Sequence, residues 1–152
     1  MEIREGGLDT PQVIELLRLH LAAAHENSPP GTVFALDLSG LKRDDVTFWG
    51  AWEGDQLLGC GALKQLDPEH GEIKSMRTDP THLRRGAGAR VLERIMAVAR
   101  ERGYRRLSLE TGSTPAFDAA HALYRKLGFV SCGAFGDYPE GNDFNQFMTR
   151  VL

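Results

Sequence analysis

Two arginines and then two glycines one residue apart, Arg84-Arg85-Gly86-Ala87-Gly88, stand between an Asp-Pro break and a long amphipathic stretch. Strand, basic glycine loop and helix in that order make a cradle for a phosphate. Glycine lets backbone N–H groups come close to an anion, and the start of the following helix adds partial positive charge. Arg77, Arg90 and Arg94 raise the local charge further. The five histidines (His20, His25, His70, His82 and His121) lack ligand spacing such as HExxH. Cys60 and Cys132 lack CxxC spacing, so no metal site is expected. A P-loop, a full GxGxxG and a GxSxG elbow are all absent.

Bulk properties narrow the partners. With 152 residues, 41% hydrophobic and 26% charged, the chain suits one compact domain over 1–152 with its own core. Its net charge of −3 argues against nucleic acid, so any anion site must draw on local charge. The two cysteines read as small core thiols in a reducing cytoplasm. Met1 to Glu5 lacks the shape of a signal peptide, and no apolar run reaches the ~18 residues of a membrane span. A cytoplasmic protein without membrane contact is expected.

The glycine loop needs a sheet on one side and a helix on the other. Met1 to Arg4 reads as a first strand. Thr10-Pro11 opens a helix in which Val13, Leu16, Leu17, His20, Leu21 and Ala24 recur at helical period, until Asn27-Ser28-Pro29-Pro30-Gly31 stops it. Phe34 to Leu41 carries a short helical piece where a lid over a substrate can sit. Val46–Trp52, Leu57–Leu66 and Glu72–Thr78 read as three antiparallel strands. Gly59 and Gly61 in the second mark a bulge or a close backbone approach. In the third, alternation sets Ile73, Ser75 and Arg77 on one side and Glu72, Lys74, Met76 and Thr78 on the other.

The helix after the loop runs to about Arg102 and buries Val91, Leu92, Ile95, Val98 and Ala99. Leu107–Thr111 is the next strand, so strand–helix–strand implies a parallel pair with a right-handed crossover. Thr114-Pro115 opens a last helix with Phe117, Ala120, Leu123, Tyr124 and Leu127 as its stripe. Phe129–Phe135 and Phe144–Val151 read as the final strands. The expected architecture is a mixed α/β sheet of about seven strands, mostly antiparallel, with about four helices.

Three motifs, in order and at matching spacing, resemble the GCN5-related N-acetyltransferases, the GNAT family. Leu83-Arg84-Arg85-Gly86-Ala87-Gly88 is similar to the family's phosphate motif, with Leu83 in place of the usual Gln or Arg. Ala120-His121-Ala122-Leu123-Tyr124-Arg125-Lys126-Leu127-Gly128-Phe129 is similar to its Ala-x-x-Leu-Tyr-x-Lys-x-Gly-Phe ending, with Phe117 where an Asn is usual. Gly71-Glu72-Ile73 leading to Met76-Arg77-Thr78 is similar to its fourth strand. The resemblance covers nearly the whole chain. Phe48 to Glu53, Gly59 to Leu63, His70 to Thr78 and Leu107 to Gly112 extend it to a small bacterial subgroup of the YsnE type, some of whose members are described as acetylating indole-3-acetic acid or related small acids.

The resemblance implies a GNAT fold whose fourth and fifth strands splay apart, with acetyl-CoA as acyl donor lying in the gap. It places Met76, Arg77 and Thr78 beside the thioester, and the amides of Arg85, Gly86, Ala87, Gly88 and Ala89 on the pyrophosphate. Arg84, Arg85 and Arg90 add charge there, and Phe117 and Tyr124 face the cofactor. Tyr124 becomes the general acid toward sulfur and Glu72 the expected base, with Glu110 as its rival. Lys74 and Arg77 are candidates to recognise an acceptor carboxylate. Phe48, Trp49, Trp52 and Tyr138 are candidates to wall the acceptor pocket.

The resulting expectation is direct acetyl transfer in a ternary complex to the amine of a small, carboxylate-bearing metabolite. Acetylation of a protein or peptide and a non-catalytic acyl-CoA sensor stay open as alternatives. A homodimer, paired through Phe144–Val151, is also compatible with the family.

Overall fold

The computed structural model describes residues 1–152. The strands are β1 (Glu2–Glu5), β2 (Val46–Glu53), β3 (Gln56–Asp67), β4 (His70–Thr78), β5 (Arg106–Thr111), β6 (Val130–Cys132) and β7 (Gln146–Val151). The helices are α1 (Pro11–Glu26), α2 (Leu38–Leu41), α3 (Ala87–Glu101) and α4 (Asp118–Lys126), with 3₁₀ turns at Pro80–His82 and Pro115–Phe117. One seven-stranded sheet runs in the order β1-β2-β3-β4-β5-β7-β6. β1 to β4 pair antiparallel, β4 and β5 pair parallel, and β7 lies antiparallel to both β5 and β6.

Each face of the sheet is covered. On one face α3 lays Val91, Leu92, Ile95, Met96 and Ala99 onto Trp49, Leu58, Leu63, Ile73, Leu107 and Leu109. On the other, Val13, Leu16 and Leu17 of α1 and Leu41 of α2 pack on Phe48, Trp52, Leu57, Cys60 and Ala62. Each fully buried leucine or isoleucine contributes about 2 kcal/mol. The start of α1 forms as its sequence dictates: the Thr10 hydroxyl accepts from the Val13 amide at 3.4 Å, and Pro11 fills the first turn. Gly61 is where α3 comes close to the sheet. A Cβ there would stand 2.8 Å from Val91 and 2.5 Å from the Met76 sulfur.

β4 departs from the alternation read from its sequence. The pairs Cys60↔Arg77 and Ala62↔Lys74 set three steps of β4 against two of β3. Ser75 takes up the extra residue with φ of 55°. Such a bulge bends its strand and reverses the facing of the residues beyond it. Met76 therefore joins Ile73 on the α3 face. Arg77 shares the α1 face with Lys74, where both act on His20.

The bulge also bears on the sheet's central feature. β4 and β5 pair only through His70↔Arg106, Gly71↔Leu107 and Glu72↔Ser108, although β4 continues to Thr78 and β5 to Thr111. The expected splay is present and begins after Glu72.

The last strands are shorter than expected. β6 covers only Val130–Cys132, and residues 133–145 fold back as a long connection. Its Phe135 and Tyr138 rings meet at 5.2 Å, and Tyr138 lies edge-on to Phe34 at 5.2 Å and 5.5 Å from Phe147. Those aromatics face one another rather than extending a ladder. The expected pairing of Phe144–Val151 across an interface is also corrected, because β7 already has a neighbour on each side. No helix is long and apolar enough to cross a membrane.

Candidate active site

The glycine loop presents the start of α3 to solvent. Asp79 turns the chain by accepting from the Thr81 amide and hydroxyl at 2.8 and 2.7 Å. Arg84 has φ of 65° and Gly86 φ of 80°, so the loop makes two left-handed steps before the helix. No side chain caps α3. Its first amides are therefore free donors at the positive end of a 15-residue helix, an arrangement suited to an anion. Ala87 is buried, so it offers its backbone and not its side chain. Gly88 lets the loop lie against Thr78 and Leu123, since a Cβ there would be 3.6 and 3.3 Å from them.

The three arginines assigned to this loop differ in what they do. Arg85 Nη2 donates to both oxygens of Glu53 at 2.6 and 2.7 Å. That pair is exposed and so inexpensive to break, on the order of 0–1 kcal/mol. Arg84 is exposed beside the loop. The Arg90 guanidinium instead reaches the Met1 carbonyl at 3.4 Å, by the start of β1.

A cavity of about 190 Å³ opens in the splay. Ile73 to Arg77 form its β4 wall, Glu110 to Gly112 its β5 wall, and Phe117, Ala120 and Tyr124 line it from the last helical segment. The C-terminal half of α1 and residues 32–35 cover it. Met76, Arg77, Phe117 and Tyr124 thus meet at one cavity. Arg84 to Arg90 lie apart from it, on the loop.

The carboxylates are placed differently from each other. Glu72 is 2% exposed and does not line the cavity. It accepts a short hydrogen bond from the Tyr138 hydroxyl and pairs with Lys74 Nζ at 3.4 Å. Glu110, the rival base, does line the cavity. Asn145 Nδ2 donates to it at 2.8 Å and to the Thr32 carbonyl at 3.0 Å. Burial raises the Glu110 pKa above the ordinary carboxylate value, against the Asn145 bond, which lowers it. Burial, and then the nearby charge of Glu110, push the Tyr124 phenol well above its ordinary pKa, so it stays protonated.

Lys74, a sequence candidate for an acceptor carboxylate, is already engaged. Its ammonium donates to Tyr138 Oη at 2.8 Å and to the Phe34 carbonyl at 3.1 Å, besides Glu72. It ties the 28–37 segment and the 133–145 connection to β4. Of the four aromatics expected in the pocket wall, Phe48, Trp49 and Trp52 belong to the two cores and none lines the cavity. The sheet buries both its faces here, so strand aromatics pack under helices. The aromatic lining is Phe34, Phe117, Tyr124 and Phe144.

Sequence reasoning missed three polar residues at the site. His20 reads only as one position of the α1 stripe, and Ser75 only as an alternating strand residue. Asn145 stands just beyond a polar loop. For His20 a signal was available: a polar residue on an otherwise apolar helical face. No group of three or more His, Cys, Asp or Glu converges as a metal site would need.

Known proteins resemble this chain in sequence and in fold. The model of the acetyltransferase (GNAT) family matches residues 12–129. The N-acetyltransferase YsnE of Bacillus subtilis is 50% identical over 153 residues, covering 100% of both chains. An IAA acetyltransferase of Azospirillum brasilense is 40% identical, covering 93% of this chain and 89% of its own. Among solved structures, a Klebsiella pneumoniae protein described among acyl-CoA N-acyltransferases superposes with a TM-score of 0.81 at 30% identity, over 99% of this chain and 97% of its own.

Proposed function

The chain belongs to the acetyltransferase (GNAT) family, and from that premise we propose that it moves an acetyl group from acetyl-CoA directly to the amine of a small metabolite within a ternary complex. Acetyl-CoA is the cosubstrate. The uncapped α3 amides and the exposed arginines beside them suit its pyrophosphate. The splay suits the thioester arm, with Met76 and Arg77 along one side.

The observation that carries the acceptor reading is the small volume of the partly roofed cavity. An apolar cavity of about 150 Å³ holds a benzene ring. At about 190 Å³, shared with the thioester end of the donor, this cavity suits a small molecule and not a peptide laid across an open groove. Residues 32–35 and the end of α1 supply the cover.

Glu110 is the base in this reading. It takes one proton of the acceptor ammonium, directly or through one water, and leaves a neutral amine; nitrogen then bonds to the acetyl carbon, the carbon–sulfur bond breaks, and the second proton that nitrogen loses replaces the one given to sulfur. Tyr124 donates to the departing sulfur. Glu72, held by Tyr138 and Lys74, supports the architecture of the site. We read residues 1–152 as one catalytic domain acting in the cytoplasm. A dimer built by strand pairing would use an edge, β1 or β6.

The test is acetyl-CoA binding by calorimetry, followed by CoA release over a broad panel of small amines and peptides. Release with small amines and not with peptides is the expected result. A protein that fails to bind acetyl-CoA, or that turns over peptides alone, would refute the reading.

A further inference from the structure

Three buried polar atoms of cavity-lining residues have no hydrogen-bond partner in the chain: Nδ1 of His20, Oγ of Ser75 and Nε of Arg77. Buried polar atoms are nearly always satisfied, so three unpartnered ones on residues that border one cavity mark where a polar group admitted there would find partners as those side chains turn toward it. They come from two elements. His20 stands on α1, while Ser75 and Arg77 belong to the bulged part of β4. Ser75 is held at φ of 55°, which a side-chain-bearing residue adopts only where its surroundings impose it.

The chemistry of these atoms selects the group. A guanidinium Nε–H only donates, a serine hydroxyl can donate, and an imidazole Nδ1 donates in one of its tautomers. Whatever satisfies Arg77 must accept. Charge points the same way. Lys74 is paired with Glu72 at 3.4 Å, whereas Arg77 forms no ion pair with any carboxylate of the chain. A guanidinium beside a cavity without a counter-charge favours an anion there and repels an ammonium. Across the splay, the β5 wall carries Glu110, with Asn145 behind it, and Tyr124 adjoins.

We propose that the acceptor is an amino carboxylic acid, its carboxylate held by Arg77, Ser75 and His20 and its amine turned toward Glu110. The proposal rests on the acetyl-transfer reading and gives the acceptor's carboxylate a subsite. The two walls of the cavity then match the two ends of a zwitterion. Of the two residues expected to recognise an acceptor carboxylate, Arg77 keeps the role and Lys74 does not, and two residues of no evident function in the sequence join it.

The test uses matched pairs: α-, β- and γ-amino acids, each beside the amine that lacks the carboxylate, with CoA release as readout. Wild type is expected to prefer the carboxylated member by roughly 100-fold or more in kcat/KM, as when buried polar groups lose their partner. Arg77→Gln is expected to bring that preference within a few-fold, mostly through KM. Ser75→Gly removes the hydroxyl at a φ that glycine adopts freely, so it is expected to fold and to reduce the preference partially. Equal turnover of both members by wild type would mean that water alone meets the three atoms, and would overturn the proposal while leaving acetyl transfer intact. Should no amine release CoA, acetyl transfer itself fails. The subsite is then judged by calorimetry on the CoA-loaded protein: N-acetylated amino acids binding wild type at least tenfold more tightly than Arg77→Gln sustain it, and equal binding overturns it.

Discussion

The Tyr138 hydroxyl donates to Oε2 of Glu72 across 66 residues of chain, and so closes off the carboxylate that the sequence put forward as the base. Lys74 completes the enclosure, with side-chain exposures of 10% for Lys74 and 3% for Glu72. An acceptor amine would have to displace this network to reach Glu72. Glu110 stands just beyond Glu72↔Ser108, the last pair that joins β4 to β5. It needs no such displacement, because it already lines the cavity.

The two carboxylates should therefore separate under mutation. Glu72→Ala leaves the Lys74 ammonium without its counter-ion in a buried place, a loss of about 3 kcal/mol. Glu110→Gln keeps an oxygen for Asn145 and removes a charge that burial disfavours. Its stability at neutral pH should hold or rise, while kcat falls by roughly 100-fold or more, as for loss of a general base. Urea denaturation and CoA-release kinetics on both variants check this. A Glu110→Gln enzyme with wild-type kcat would return the base role to another group.

The pH profile is set by the two raised pKa values. Below its pKa Glu110 is protonated and accepts nothing, so kcat/KM should climb with pH along an acid limb lying above the ordinary carboxylate range. That limb should vanish in Glu110→Gln. Tyr124 is pushed upward by burial and by Glu110, so it adds no alkaline limb at or below the ordinary phenol value of 10.0. Tyr124→Phe should lower kcat by roughly 100-fold while the acid limb stays in place. Profiles of kcat/KM from mildly acidic to alkaline pH on the three enzymes separate the two roles.

Gly86 offers a test in which stability and binding move independently. Its φ of 80° strains any other residue, yet a Cβ there meets nothing within 4 Å. Gly86→Glu costs about 1–2 kcal/mol in backbone strain, partly offset by a carboxylate at the start of α3. The same carboxylate repels a pyrophosphate held by the α3 amides. Thermal melting should drop by a few degrees, while calorimetry should show acetyl-CoA affinity falling tenfold or more. Unchanged affinity would remove the loop from the cofactor site.

What could be read from the sequence depended on the range of the physics involved. Thr10-Pro11, most of the α3 stripe and the glycines facing α3 carry local signals of period, capping and close approach, and these elements form as expected, except that Met96 and not Val98 is buried in α3. The splay was legible through family resemblance, and its pairing ends where β4 leaves β5. The bulge at Ser75 left no local trace. A serine in a polar-alternating strand looks regular, and only the mismatch with β3 shows that Arg77 and Met76 exchange faces. The hold of Tyr138 and Lys74 on Glu72 was equally hidden, because it joins a loop and a strand far apart in the chain.

His20 gives the last prediction, one that concerns stability alone. Burial, then the charges of Arg77 and Lys74, lower its pKa from 6.5 to about 4. In the unfolded chain the imidazole takes up a proton as pH falls below 6.5, while in the folded chain it stays neutral until about 4. The unfolded state therefore binds more protons in that window, and acid favours unfolding. The contribution is complete above the unfolded value and is lost as pH falls toward 4. Between about pH 7 and pH 5 it amounts to about 2 kcal/mol. Glu110 works in the opposite direction, since its raised pKa makes the folded state the better proton acceptor on acidification. The comparison must therefore be between wild type and His20→Gln, which keeps polarity and removes the titration. Urea midpoints measured at both pH values should converge for the variant by that amount relative to wild type. An equal fall in both proteins would show that His20 is charged in the folded state, and would place water or a counter-ion beside its ring.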